Sequence, residues 1–304
     1  MQDPVYFPID KGLYEVALSL RPLGADLGNG EYDKKIFHTY SNYKDYFQNK
    51  LKCFNERPSK YVCRNEFAET HLMALISFLV ARLKLDLSSH LYQEGQFLKS
   101  HLIDHIVDLG NKNKNELLDQ LCLFAQEDIA LVTRNSQTDY IAYLNLCSPS
   151  HWAAEDKIGK NFFDVHVPIP GIEKINANAN KIVEMMINKG PFVRFIWSFV
   201  TDTRLNHHPI APAGCDQDAW KGRSFNKTAE IPFYLRIERQ CIYGLPEVDA
   251  SVFTIGVNFI SGKTIKENPE YKDQLKKALQ SMSKESREYK GVEHCFSDLL
   301  EYLA

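Results

Sequence analysis

The sequence predicts an α+β fold: one antiparallel sheet with a helical region before it and helices after it. Large side chains recur every three or four residues through the first third of the chain, five β-rich runs follow between residues 128 and 260, and helical spacing returns after 263. The chain therefore divides into a mainly helical N-terminal region packed on the core (1–125), a sheet core (126–262) and C-terminal helices (263–304).

In chain order, YDKKIFHTYSNYKDYFQNKL and RNEFAETHLMALISFLVARLKL both carry helical periodicity. SHLIDHIVDL reads as an amphipathic helix that places His101 and His105 one turn apart, a spacing that could also chelate a metal. NKNELLDQLCLFAQ is a further helix, capped by Asn113 or Asn115. DIALVT and DYIAYLNLC form a hairpin across the polar turn RNSQT. From Glu173, the positions Ile175, Ala179, Ile182, Val183 and Met186 share one helical face, and Gly190-Pro191 ends the helix. PFVRFIWSFV, FYLRIERQCIY and SVFTIGVNFI are strands, the last two joined by GLPEVDA. EYKDQLKKALQSMSKES and HCFSDLLEYLA close the chain as helices.

Composition narrows the function. A net charge of -3 argues against a broad nucleic-acid surface, although it leaves room for a local basic pocket. Seven cysteines without a C-x-x-C pair fit reduced thiols in a cytoplasmic protein better than a disulfide framework. The longest apolar stretch, LMALISFLVARL, is too short for a membrane span, and no signal-peptide pattern opens the chain. Dinucleotide, P-loop, nucleophile-elbow, HExxH and iron–sulfur motifs are all missing, so the chain has no visible means of taking electrons from NAD(P)H by itself.

Two strands, an irregular helical segment, a long helix and three strands follow the element order of a PAS-like domain. The irregular segment, LCSPSHWAAEDKIGKNFFDVHVPIPG at 146–171, would then lie where such domains hold a cofactor, and it groups Trp152, Lys157 and His166. His166 is mounted on a proline-rich turn, which suits an axial ligand to haem iron and equally suits a histidine bracing the turn. Strand alternation in FYLRIERQC puts Arg236 and Glu238 on one face and Arg239 on the other, with Leu235, Ile237 and Cys241. An arginine there needs a carboxylate, from the protein or from a ligand. Arg194 and Trp197 point to opposite faces of their strand, Trp197 being the core residue. His207-His208 in NHHPIAP reads as a solvated loop pair.

LCSPSHWAAEDKIGKNFFDVHVPIPG, PFVRFIWSFVTDTRLN, LRIERQCIYGLP and VFTIGVNF together resemble the α subunit of the haem-dependent oxidative N-demethylases, which are similar to dimethylamine monooxygenase. Matching positions are Ser148, Pro149, Ser150, Trp152, Lys157, Gly159, His166, Pro168, Pro170, Gly171, Arg194, Trp197, Arg236, Glu238, Arg239, Gln240, Leu245 and Pro246. The departure is Phe195-Ile196, where the family pattern has Ser-Asn. The resemblance implies a haem b monooxygenase subunit with iron bound through His166, using O2 to demethylate a small alkylamine and releasing formaldehyde. It also implies electrons from a separate flavin and iron–sulfur reductase, this chain holding neither flavin nor cluster. Under it, Lys157, Arg194 and Arg236 or Arg239 receive propionates, Trp152 and Trp197 line the cofactor, and Glu238 orients the cationic amine. The alternatives are a non-catalytic haem-binding PAS-like sensor or carrier, and a domain that has lost haem.

Overall fold

The computed structural model describes residues 3–304. Ten strands are present among them: β1 (Arg21–Pro22), β2 (Val62–Arg64), β3 (Leu91–Glu94), β4 (Phe97–Ser100), β5 (Ile106–Asp108), β6 (Asp128–Arg134), β7 (Asp139–Asn145), β8 (Phe192–Val200), β9 (Tyr234–Leu245) and β10 (Ala250–Ser261). The helices are α1 (Tyr43–Glu56), α2 (Pro58–Tyr61), α3 (Glu69–Asp86), α4 (Lys114–Cys122), α5 (Phe162–His166), α6 (Glu173–Asn176), α7 (Ala179–Asn188), α8 (Gln217–Trp220), α9 (Gly262–Glu267), α10 (Pro269–Ser281), α11 (Lys284–Lys290) and α12 (Phe296–Tyr302).

Seven strands form one antiparallel sheet in the order β1-β8-β9-β10-β6-β7-β2. Its backbone is the β9–β10 hairpin, paired without a slip from Leu245↔Ala250 to Tyr234↔Ser261. Both β9 faces are covered, so the run reads as continuously apolar or buried rather than alternating. One face, carrying Val193, Cys241 and Val252 at one end and Trp197, Leu235 and Ile237 at the other, packs on α1, α3 and α4 and on the C-terminal helices. The opposite face carries Ile242 and Phe253 against Ile182 and Met186 of α7, and Ile255 and Val257 against Trp152 and Ala154.

Asn113 caps α4, its side chain accepting from the Glu116 amide at 3.2 Å. Three expectations are corrected. SHLIDHIVDL is not a helix: β3, β4 and β5 form a separate small antiparallel sheet, turned at Gly95 with φ 59°. His101 there stacks on Tyr92 and His105 bonds the Gln120 carbonyl, so the two imidazoles do not converge on a metal. The long helix from Glu173 is two pieces, because the Asn178 side chain donates back to the Lys174 carbonyl and closes the first turn locally. His207 and His208 are buried, not solvated: His207 Nε2 meets Asp202 Oδ1 at 3.1 Å and His208 Nδ1 accepts from the Ile210 amide at 3.0 Å.

Gly244 decides how α7 lies on the sheet. A Cβ there would overlap the Ile187 carbonyl oxygen, so only glycine lets the end of α7 approach the β9 backbone this closely.

Candidate functional site

The 146–171 segment has little regular structure, yet its start is clamped by side chains of β6 and β9 on one face of the sheet. Asp128, at the start of β6, accepts from the Cys147 and Ser148 amides, each at 2.8 Å. Burial raises its carboxyl to about 6 against the pull of Lys50 and those two amides. The Arg236 guanidinium, 0 % exposed, reaches from β9 to the Ser148 carbonyl and, at 2.9 Å, to the Leu205 carbonyl. His207 joins the same two loops, its amide donating to the Pro149 carbonyl and its carbonyl accepting from the His151 amide. Sequence reasoning missed Asp128, a single acid at a strand start, because its value lies in amides that only the folded loop brings to it.

His166 ends α5. Its Nδ1 lies 2.6 Å from the Phe162 carbonyl oxygen, which can only accept, so Nδ1 carries the proton and Nε2 keeps its lone pair. No described residue bonds Nε2. The ring also packs on Phe162 at 4.2 Å, so its plane is held. Burial depresses its affinity for a second proton, and the nearby Arg194 and Lys157 cations add to this. Lys157 in turn donates to the Val165 carbonyl at 2.8 Å, fastening the end of α5. Next to His166, an open cleft of about 920 Å³ runs between residues 14–17, the 167–171 loop and the α10–α11 corner.

Register defines what the sheet presents to this side. Arg194 pairs with Gln240, Ile196 with Glu238 and Ser198 with Arg236, so all six share the face covered by α7 and Trp152. The three rungs span about 13 Å. Glu238 is held within them, Oε2 accepting from Gln240 at 3.0 Å and Oε1 lying 3.8 Å from Arg236 Nε. Arg194 Nε is buried and bonded to nothing among the described residues, and burial lowers the guanidinium to about 10. Lys290 closes the open edge of β8, donating to the Trp197 carbonyl at 2.6 Å. Burial, reinforced by Arg194 and Arg223 and opposed by Glu238, brings it down to about 8.

Trp152, Lys157, His166, Arg194, Arg236 and Glu238 thus belong to one side of the sheet. Trp197 and Arg239 do not. Trp197 packs among the C-terminal helices, and Arg239, 2 % exposed, donates to the Lys35 carbonyl at 2.7 Å and the Cys241 sulfur at 3.0 Å, over the Tyr6 ring. The expected carboxylate beside Arg239 is replaced by a carbonyl, a sulfur and an aromatic face. The sulfur is that of Cys241 on the same strand face, whereas the carbonyl and the ring come from residues 35 and 6, which strand alternation cannot reveal. Arg236 is likewise spent on the loop carbonyls. Arg223 and Lys290 were missed by sequence reasoning, since each stands in an ordinary polar context, GRSFN and REYKG.

One side of the sheet thus gathers basic groups beside an imidazole whose proton faces a carbonyl and whose other nitrogen keeps its lone pair. Residues 31–300 match the family model described as haem-dependent oxidative N-demethylase, alpha subunit-like, and the chain belongs to that family. The family's name brings haem dependence and N-demethylation to an α+β chain whose described helices include none long and apolar enough to cross a membrane.

Proposed function

We propose that this chain is the haem b-binding catalytic subunit of an oxidative N-demethylase acting on a small alkylamine, with His166 as the iron ligand. The observation that carries the reading is the 2.6 Å contact between His166 Nδ1 and the Phe162 carbonyl. That contact fixes the tautomer, raises the basicity of Nε2 and holds the ring plane, as the outer partner of a metal-bound histidine does. The group fits the residues on two further counts: Arg194, half-buried with its Nε unpartnered, suits a propionate, and the strand order β7-β6-β10-β9-β8 supports a PAS-like core.

Haem would supply O2 binding, its reduction with electrons from a separate flavin and iron–sulfur reductase, and oxidation of the N-methyl carbon. The chain's own residues bind and orient. Arg194 and Lys157 place positive charge beside His166. Glu238, fixed by Gln240 and Arg236, offers a carboxylate to a protonated amine. Ile196, paired with Glu238 where the family pattern has Asn, puts an apolar wall next to that carboxylate, which suits a methyl group and excludes water. Phe195 points to the other face, against Tyr6.

The test is reconstitution with hemin. Wild type is expected to give a Soret band, with formaldehyde formed on reduction in the presence of dimethylamine and O2. His166→Ala is expected to lose the band's low-spin or histidine-ligated character, whereas His101→Ala, His151→Ala and His207→Ala keep it. Unchanged spectra for His166→Ala reject the ligand assignment, and a Soret band without formaldehyde favours a sensor or carrier.

A further inference from the structure

Arg223 lies in the loop after α8, and its guanidinium makes no hydrogen bond and no ion pair with any described residue, its Nε being buried without a partner. Arg194 Nε is in the same condition. The other basic groups of the region are engaged: Arg236 holds two loop carbonyls, and Lys290 holds the Trp197 carbonyl.

The nearby acids are engaged too. Asp218 pairs with Lys221 at 2.7 Å, Glu293 with Arg287 at 2.5 Å, and Glu288 with Lys284 at 3.8 Å. Asp202 pairs with Arg204 and His207, and Glu238 is held by Gln240 and Arg236. Four basic side chains, Arg194, Arg223, Arg236 and Lys290, thus share the region with carboxylates that already have partners: Glu238, Asp202 and Asp128.

Arg223 is half-buried, its Nε cut off from water without a partner and its terminal nitrogens bonded to no described residue, an arrangement that a ligand carboxylate would complete. Arg223 is also held in place. The turn at Gly291, with φ 72°, closes over its guanidinium so tightly that a Cβ at 291 would collide with it. Its positive charge is felt by His151 and Lys290, both of which burial and neighbouring cations push toward their neutral forms.

We propose that Arg223 is a carboxylate-binding residue, forming with Arg194 two seats for the carboxylates of the bound ligands. The carboxylate at Arg223 comes either from a haem propionate or from the amine itself, which would make the substrate an N-methylated amino acid. The first source rests on the haem reading above. A bidentate guanidinium fork suits either.

The experiment compares wild type with Arg223→Gln. With a propionate at Arg223, hemin passes to excess apomyoglobin at least tenfold faster from the variant, and hemin dimethyl ester, which lacks the charges, leaves both proteins at one rate. With a substrate carboxylate, hemin retention is equal, but the Kd of the reconstituted protein for N-methylglycine, read from the Soret shift, rises at least tenfold while that for dimethylamine is unchanged. Equal hemin loss together with equal N-methylglycine binding overturns the proposal.

Ligand-free Arg223→Gln is expected to melt no lower than wild type, because it removes an unpaired charge. A melt several degrees lower, or no folded variant at all, marks a structural arginine and also overturns it. If wild type takes up no haem, the haem reading fails, and succinate decides the seat in the apoprotein. Stabilisation of wild type but not of Arg223→Gln keeps the proposal, and no stabilisation of wild type ends it.

Discussion

Replacing Arg236 by Met tests the claim that this arginine holds the site together instead of binding the cofactor. The substitution deletes donors to the Leu205 carbonyl at 2.9 Å and the Ser148 carbonyl, and it strips Glu238 of a cation at 3.8 Å, all within a residue that is 0 % exposed. Hydrogen bonds from a charged donor contribute about 1.5–3 kcal/mol each, and breaking a buried ionic arrangement from one side costs about 3–5 kcal/mol. Because partly released loops can admit water, the lower range applies, and about 3–5 kcal/mol is expected in total. At about 2.1 cal/mol/K per residue, the unfolding entropy of 304 residues is about 640 cal/mol/K, so Tm falls by about 5–8 °C.

Urea unfolding followed by circular dichroism gives the free energy directly, with an unchanged slope confirming that the unfolded state is the same. The double variant Arg236→Met/Glu238→Gln adds a second arm. Removing the stranded carboxylate is expected to recover about 1–3 kcal/mol. A loss below about 1 kcal/mol for Arg236→Met would falsify the clamp. Strict additivity of the two substitutions would mean that Arg236 and Glu238 do not share charge.

Three further expectations follow from the same geometry. Glu127, buried with Oε2 unbonded and Oε1 accepting from the His38 amide at 3.0 Å, has its carboxyl raised by burial to about 7. A raised acid binds its proton more tightly when folded, so its contribution to stability is present below about pH 4.5 and is lost as pH rises to about 7. Across that window Glu127→Gln should remove a decline of at most about 3 kcal/mol, read from urea midpoints at pH 5 and 7.5; parallel wild-type and variant profiles contradict it. Gly244→Ala should cost about 1–3 kcal/mol or more by forcing α7 off β9, and should loosen haem retention with it; a neutral melt would show that Ile187 can yield. The isolated chain, supplied with haem and NADH or NADPH alone, should not demethylate amines, and turnover in a preparation free of reductase would count against a separate electron donor.

By itself the sequence determined the α+β plan, the strands of the core and the opposite-face placement of Arg194 and Trp197, because 2.0 and 3.6 residue periods are local properties of the chain, and it narrowed the α4 cap to Asn113 or Asn115. It also carried the family, since four motifs in order survive as text. What it misjudged locally were SHLIDHIVDL and the helix from Glu173, where a side chain or a tight turn overrode periodicity.

The site was only half legible. Alternation showed that Arg239 is turned away from Glu238, but its partners, the Lys35 carbonyl and the Tyr6 ring, come from the far N-terminal part of the chain. The same holds for Asp128 beneath the 147–148 amides, for Lys290 at the β8 edge and for Arg223 under Gly291. Whether a buried charge is satisfied depends on atoms distant in sequence, and desolvation makes that question energetically decisive. Tertiary structure alone therefore separated Arg236 and Arg239, whose terminal nitrogens donate to protein acceptors, from Arg194 and Arg223, whose terminal nitrogens bond no described residue.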